Sequence, residues 1–162
     1  IIANMGKYIA LPQTEVEWSR ISEQFNTHWQ FPNALGAIDG KHVVIKLPTN
    51  AGSSFYNYKG THSIVLLAIA GPNYECLYAD VGSNGRMNDA GIWNKSKLRN
   101  KIENKELALP KPKCLRFGSV EVPHVFVGDE AFGLKSYMMK TEEKRGGKRE
   151  RRREKERKRR DR

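Results

Sequence analysis

The segment "HSIVLLAIAGPNYECLYADVG", residues 62–82, limits the possible folds more than any other part of the chain. From Ile64 to Ala70 it is wholly apolar, and the turn signal Gly71-Pro72-Asn73 bounds it. A run this short cannot cross a bilayer as a helix, and its continuity reads as a strand buried on both faces. Beyond the turn, "YECLYADVG" alternates apolar and polar residues, so the pair reads as an antiparallel hairpin. A strand with two buried faces needs neighbours in a sheet and layers over both sides.

The flanking segments can supply them. Upstream, "TEVEWSRISEQF" reads as an amphipathic helix: Thr14 and Glu17 fit a capping box, and Trp18, Ile21 and Phe25 recur at helical spacing. Pro32 breaks that helix, and "GAIDGKHVVIKLP" reads as a strand stopped by Pro48. A polar loop with three aromatics, "TNAGSSFYNYKG", leads into the hairpin. Downstream, "SNGRMNDAGIWNKSKL" passes through a turn into a helix that starts at Asn88 or Asp89. "PKPK" marks a loop, "VPHVFVGDE" a short buried strand, and a further helix is expected from near Ala131. The order strand, two strands, helix, strand, helix is an α/β layout around a mixed sheet.

Charge narrows the partners. The chain has 162 residues, enough for one domain with a real core, and a net charge of +11. Residues 141–162 hold 13 Lys/Arg against 6 Asp/Glu, while residues 1–140 hold 16 against 12. This balance favours a polyanion, and nucleic acid over a membrane, because no amphipathic apolar face accompanies the charge. The tail cannot form a core, though pairs such as Glu154 with Lys158 suit a solvated helix. Cys76 and Cys114 belong to no CxxC pair, which argues against a zinc ribbon or disulfide framework and fits a reducing compartment. The opening Ile1 reads as the mark of a fragment or a processed product.

Three acids stand where buried strands or turns end. Asp39 follows Ile38 and precedes Gly40 within an apolar strand, Asp89 follows a glycine-containing turn, and Asp129 closes "VFVG". A carboxylate in a buried sheet is costly unless it is paired, protonated or bound to a metal. Three such groups meeting at one sheet edge suit Mg²⁺ or Mn²⁺, hard cations that keep water or phosphate in their other positions. Paired ions of that kind cleave phosphodiesters. Blander readings stand beside this one: a lone Asp at a strand end more often caps a turn or helix. Asp80 reads as solvent-facing, Glu130 as the opening of the next helix, and His42 and His124 as packing or hydrogen-bonding residues. Lys41 and Arg86 are candidates for phosphate contact, with surface solvation the default.

Four ordered blocks, "WQFPNALGAIDGKHVVI", "FYNYKGTHSIVLLAI", "DVGSNGRMNDAGIW" and "VFVGDEAFGLKSYMM", resemble the DDE-type domain of PIF/Harbinger transposases and of the nucleases derived from them. The resemblance spans residues 11 to 140. It implies an RNase H-like mixed sheet flanked by helices, divalent-metal catalysis, DNA as substrate, a separate DNA-binding partner protein and action in the nucleus. Residue by residue, it implies that Asp39, in the "DGKH" block, is catalytic and metal-binding. Asp89 and Asp129 occupy two further family blocks; either fits the second catalytic carboxylate, and both are taken as metal-site residues. Lys41 and Arg86, with Lys148, Arg149, Arg151 and Arg152 of the tail, are the expected nucleic-acid contacts.

The chain departs from the family pattern at its end. Such domains take a final catalytic Glu from a later helix, and Glu143 and Glu150 lack that helix's Phe-Gly-Leu surroundings. The expected organisation is therefore a helical lead-in over residues 1–27, a nuclease domain over 28–140 that is incomplete at its C-terminal end, and a basic tail over 141–162. Two readings follow. One is a metal-dependent nuclease, inactive if the missing Glu is indispensable. The other is a non-catalytic nucleic-acid-binding or protein-interaction remnant, in which the tail, with Tyr56 and Tyr58 of the aromatic loop, engages nucleic acid.

Overall fold

The computed structural model describes residues 9–47, 49, 52–116 and 118–141. Thr14 starts the first helix, α1 (Glu15–Trp29), through the capping box its spacing predicts. Its hydroxyl accepts from the Glu17 amide at 3.2 Å, and the Glu17 carboxylate accepts from the Thr14 amide at 3.1 Å. Two otherwise unpaired backbone donors are satisfied in this way. The helix stops at Gln30, which adopts a left-handed conformation (φ 50°) two residues before Pro32. Trp18, Ile21 and Phe25 form the buried stripe, and Trp18 packs edge-on against Phe126 with ring centroids 5.8 Å apart.

The chain then builds a five-stranded mixed sheet from β1 (Ala34–Val44), β2 (Ser63–Ala70), β3 (Cys76–Asn84), β6 (Val125–Gly128) and β7 (Met138–Lys140), in the order β3-β2-β1-β6-β7. β1, β2 and β3 run antiparallel, whereas β6 is parallel to β1 and β7 is parallel to β6. Between β3 and β6 lie α2 (Asp89–Lys95), α3 (Lys97–Glu103) and a two-stranded ribbon of β4 (Lys113–Cys114) with β5 (Glu121–Val122). One hydrophobic cluster joins α1, the sheet, α2 and α3, with Trp18, Leu35, Ile69, Ile92, Leu98 and Phe126 among its members. This mixed sheet flanked by helices is consistent with the RNase H-like fold that the family resemblance implies.

Several local expectations need correcting. β2 is buried on one face only: Ser63, Val65, Leu67 and Ile69 are covered, while Ile64, Leu66, Ala68 and Ala70 between them are half-covered. The single helix after the turn is two, because Ser96 leaves the helical conformation and its side chain caps the second. The expected start of α2 holds, with Asn88 as the cap, accepting from the Gly91 amide at 2.8 Å, and Asp89 as the first helical residue. Among the described residues no helix follows Asp129. The chain turns there and returns as β7, whose Met138 pairs with Phe126, so Glu130 opens no helix. The β4–β5 ribbon was not foreseen. β1 begins at Ala34 and ends at Val44, short of Pro48. Among the described residues no helix is long and apolar enough to cross a membrane. The solvated helix expected over the tail lies outside the described residues.

Candidate active site

β1 is the central strand, and its alternation decides where its acid points. Gly36 and Ile38 are buried, while Ala37, Asp39 and Lys41 are exposed. Successive side chains leave a strand on opposite faces, so Asp39 and Lys41 share the open face and Gly40 and His42 the face towards the helices. Asp39 is therefore not a buried carboxylate, as the apolar run around it suggested; it stands in the open face of a sheet whose other side carries the core. Its Oδ1 accepts from the Gly40 amide at 2.8 Å.

The parallel pairing of β1 with β6 places the second acid. Ala37 is the register partner of Val127, so Asp39 and Asp129 each follow by two residues on adjacent parallel strands. Such strands lie about 4.8 Å apart. Asp129 sits just past the last residue of β6, exposed, with Oδ1 accepting from the Ala131 amide at 2.9 Å. That bond forms the turn which replaces the expected helix.

Asp89 arrives from the other direction, as the first residue of α2. Its carboxylate lies against β1 where Gly40 has no side chain: a Cβ at residue 40 would overlap Asp89 Oδ1. That oxygen is buried and has no hydrogen-bond partner. Burial pushes the Asp89 carboxyl above its ordinary range, and the charges of Asp39 and Asp129 push it further, while His42 and Lys59 pull it partly back. Asp89 thus lies within reach of the charges of Asp39 and Asp129, and meets β1 on the face opposite to Asp39. Among the described residues, no group of three or more His, Cys, Asp or Glu side chains is arranged to hold a metal ion. The side-chain alternation that separates Asp39 from Asp89 accounts for this.

The other expected residues are dispersed. Lys41 is exposed two residues from Asp39, and Arg86 is exposed in the turn before α2. Lys148, Arg149, Arg151 and Arg152, like Glu143 and Glu150, lie outside the described residues. His124 is buried, and burial lowers its pKa, as suits a packed neutral imidazole. Asp80 is half-covered and lies 3.5 Å from the Tyr78 hydroxyl, on β3, where its register partner Leu67 in turn pairs with Gly40. Two contributors gave no clear signal in the sequence: Gly40, whose missing side chain admits Asp89, and Asn57, which organises the aromatic loop beside it. The glycine of "DGK" was visible, but its role depends on where α2 docks.

As to chemistry, the site offers hard oxygen donors, one of them buried and unpartnered, under mutual repulsion. That donor set fits a divalent cation. Proteins named "Putative nuclease HARBI1" are similar to the chain: 26% identical in Xenopus laevis over 65% of this chain and 30% of that protein. The rat and human proteins are 23% and 22% identical, each over 86% of this chain and 36% of theirs. The chain thus spans about a third of the length of the curated relatives it matches. No solved structure matches it. The family model described as DDE superfamily endonuclease matches residues 38–161, most of the sequence and all three acids, and the chain belongs to that family.

Proposed function

We propose that the domain is a divalent-metal-dependent DNA endonuclease of transposase ancestry, acting on nuclear DNA, with Asp39, Asp89 and Asp129 as its metal-holding acids. One observation carries the reading: Asp89 Oδ1 is buried without a partner, in a carboxyl already disfavoured by burial and by two like charges. A protein that leaves a charge so poorly compensated pays in stability unless a cation relieves it. Endonucleases of this superfamily generally depend on divalent metals, which supports the same reading.

Asp39 and Asp129 are suited to hold a cation because each spends one oxygen on a backbone amide that fixes the side chain. Asp89, which meets β1 on the opposite face, would supply the third carboxylate by moving towards the other two as α2 adjusts. A bound Mg²⁺ or Mn²⁺ would contribute Lewis-acid stabilisation of the phosphate and a lowered water pKa. Lys41, exposed on the same face as Asp39, would attract the phosphate backbone, and the exposed Arg86 would engage it beyond the acids. Steering of DNA to the site falls to the net positive charge, which the tail dominates.

Calorimetric titration of the chain with Mn²⁺ tests the proposal, followed by nicking of supercoiled DNA with and without chelator. Uptake should be saturable, and Asp39→Ala should abolish both uptake and nicking. Nicking that survives chelation would reject the metal mechanism. The second reading, binding without catalysis, draws on the lack of a ready three-ligand arrangement among the described residues. It predicts salt-sensitive DNA affinity with no metal uptake.

A further inference from the structure

A cavity of about 600 Å³ opens beside Asp89, between the aromatic loop and the turn before α2, with Tyr56, Tyr58, His42, Arg86 and Met87 in its wall. Its size suits a nucleotide. We propose that this cavity is a nucleobase subsite, which takes an unpaired base of the substrate strand next to the scissile phosphate. The proposal rests on the nuclease reading above and narrows its substrate to DNA with a base out of the stack.

The argument begins with the tyrosines. Tyr58 is 82% exposed and Tyr56 51% exposed, so neither ring adds much to the core. Both are nevertheless held in place. Tyr58 makes an edge contact with His42, with ring centroids 5.4 Å apart, and Tyr56 makes one with His62 at the same distance. The Lys59 ammonium lies 5.4 Å from the centre of the Tyr58 ring, adding a positive charge where a phosphate would follow a stacked base.

The loop beneath them is built with unusual care for a surface segment. Asn57 is 3% exposed. Its amide donates to Thr61 Oγ1 at 3.1 Å and Ser63 Oγ at 2.7 Å, and its carbonyl accepts from the Lys59 and Thr61 amides at 2.9 and 3.1 Å. Ser63 Oγ in turn holds His42 Nδ1 at 2.9 Å, which fixes the imidazole against Tyr58. A buried asparagine with its capacity spent on one loop orders two exposed rings in advance, and ordering before binding lowers the entropic cost of capture.

Why should the base be unpaired? In a duplex both faces of every base are covered by their neighbours, so an exposed ring finds no partner there. Stacking on an aromatic platform requires a base that has left the helix, and it tolerates any sequence because every base has a π-face. Asp89 borders the same cavity, and so does Ala131, two residues past Asp129. A base lodged among the tyrosines would bring its own phosphate towards the acids.

Fluorescence of 2-aminopurine tests this with the full chain, in chelator, so that cleavage plays no part. The probe is placed once in a fully paired duplex and once as an unpaired base in an otherwise identical duplex. Binding should quench the unpaired probe and leave the paired one unchanged. Tyr58→Leu should remove the quenching and weaken affinity for the unpaired substrate roughly tenfold, with duplex affinity unchanged. Tyr58→Phe, which keeps the ring, should behave as the unaltered protein. Absence of quenching overturns the proposal. So does a Tyr58→Leu protein that retains the preference, or a Tyr58→Phe protein that loses it. Mn²⁺ titration of the same preparations separates the two claims: quenching without metal uptake leaves the subsite standing and removes the nuclease reading, while uptake without quenching does the reverse.

Discussion

Gly40→Ala isolates the role of Asp89 better than replacing Asp89 itself. The atoms closest to a Cβ at residue 40 all belong to the Asp89 carboxylate, and no backbone atom is among them. Gly40 is not one of the positive-φ glycines, so alanine fits its backbone without strain. Replacing glycine at such a position stabilises by about 0.4–1 kcal/mol through the unfolded chain. Evicting Asp89 exposes an oxygen that is now buried without a partner, a burden of about 1–3 kcal/mol. Lost packing around the moved carboxylate works the other way, so the melting temperature should hold or rise by a few degrees. Metal binding should suffer instead. A shifted ligand costs about 10- to 100-fold in affinity, as removing a ligand's support does. The assay pairs thermal melting with Mn²⁺ calorimetry on one preparation. Unchanged Mn²⁺ affinity would show that Asp89 is no ligand. A loss of stability above about 3 kcal/mol would show that the backbone, and not Asp89, yields to the new methyl, and the reasoning from contact geometry would fail.

The raised carboxyl of Asp89 has a definite sign. Between its unfolded value and the higher folded one, the folded state holds more protons, so metal-free stability should increase as pH falls through that window; Asp89→Asn should flatten this rise and melt higher at pH 7. His124 acts oppositely: burial lowers its pKa, so stability is full above the ordinary value of 6.5 and declines as pH drops below it, and His124→Gln should remove that decline in a melting series. Asn57→Ala strands the Lys59 and Thr61 amides and should cost about 1–3 kcal/mol in denaturant titration, with no effect on Mn²⁺ affinity. Trp18→Ala empties a fully buried site against Phe126 and should cost about 3–5 kcal/mol; a smaller loss would mean that α1 collapses into the gap.

What the sequence could reveal follows the range of the interactions involved. The hairpin of β2 and β3 is local: a Gly-Pro-Asn turn joins strands whose pairing begins within a few residues of it. The Thr14 capping box and the Trp18, Ile21, Phe25 stripe are local too, and the structure matches both. The errors lie where distant contacts outweigh local pattern. After Asp129 a helix is expected from near Ala131. Met138 instead finds Phe126 as its parallel partner, and Lys135 bridges back to Met138, which closes the turn. The β4–β5 ribbon is invisible for a similar reason. Each strand has two residues, and Asn33, 80 residues away from Lys113, donates to the Lys113 and Val122 carbonyls and holds the ribbon together.

The acid site divides along the same line. The strands that carry Asp39, midway along β1, and Asp129, just past β6, could be read from their apolar runs, and the β1–β6 register ties the two positions together through backbone bonds that neither side chain controls. Asp89 belongs to a seven-residue helix, too short to persist alone, which is held by burial of Ile92 and Trp93. Its carboxylate therefore depends on how α2 seats against the sheet, and Gly40 is the space that seating needs. In the proposed site two acids are carried by the sheet and the third by a docked helix, which makes Asp89 the adjustable member. A ligand that reorganises this site can do so at small cost through Asp89. Moving the backbone at Asp39 would break its pairing with Ala68 in β2, at the centre of the sheet, and Asp129 is held by the turn that follows β6.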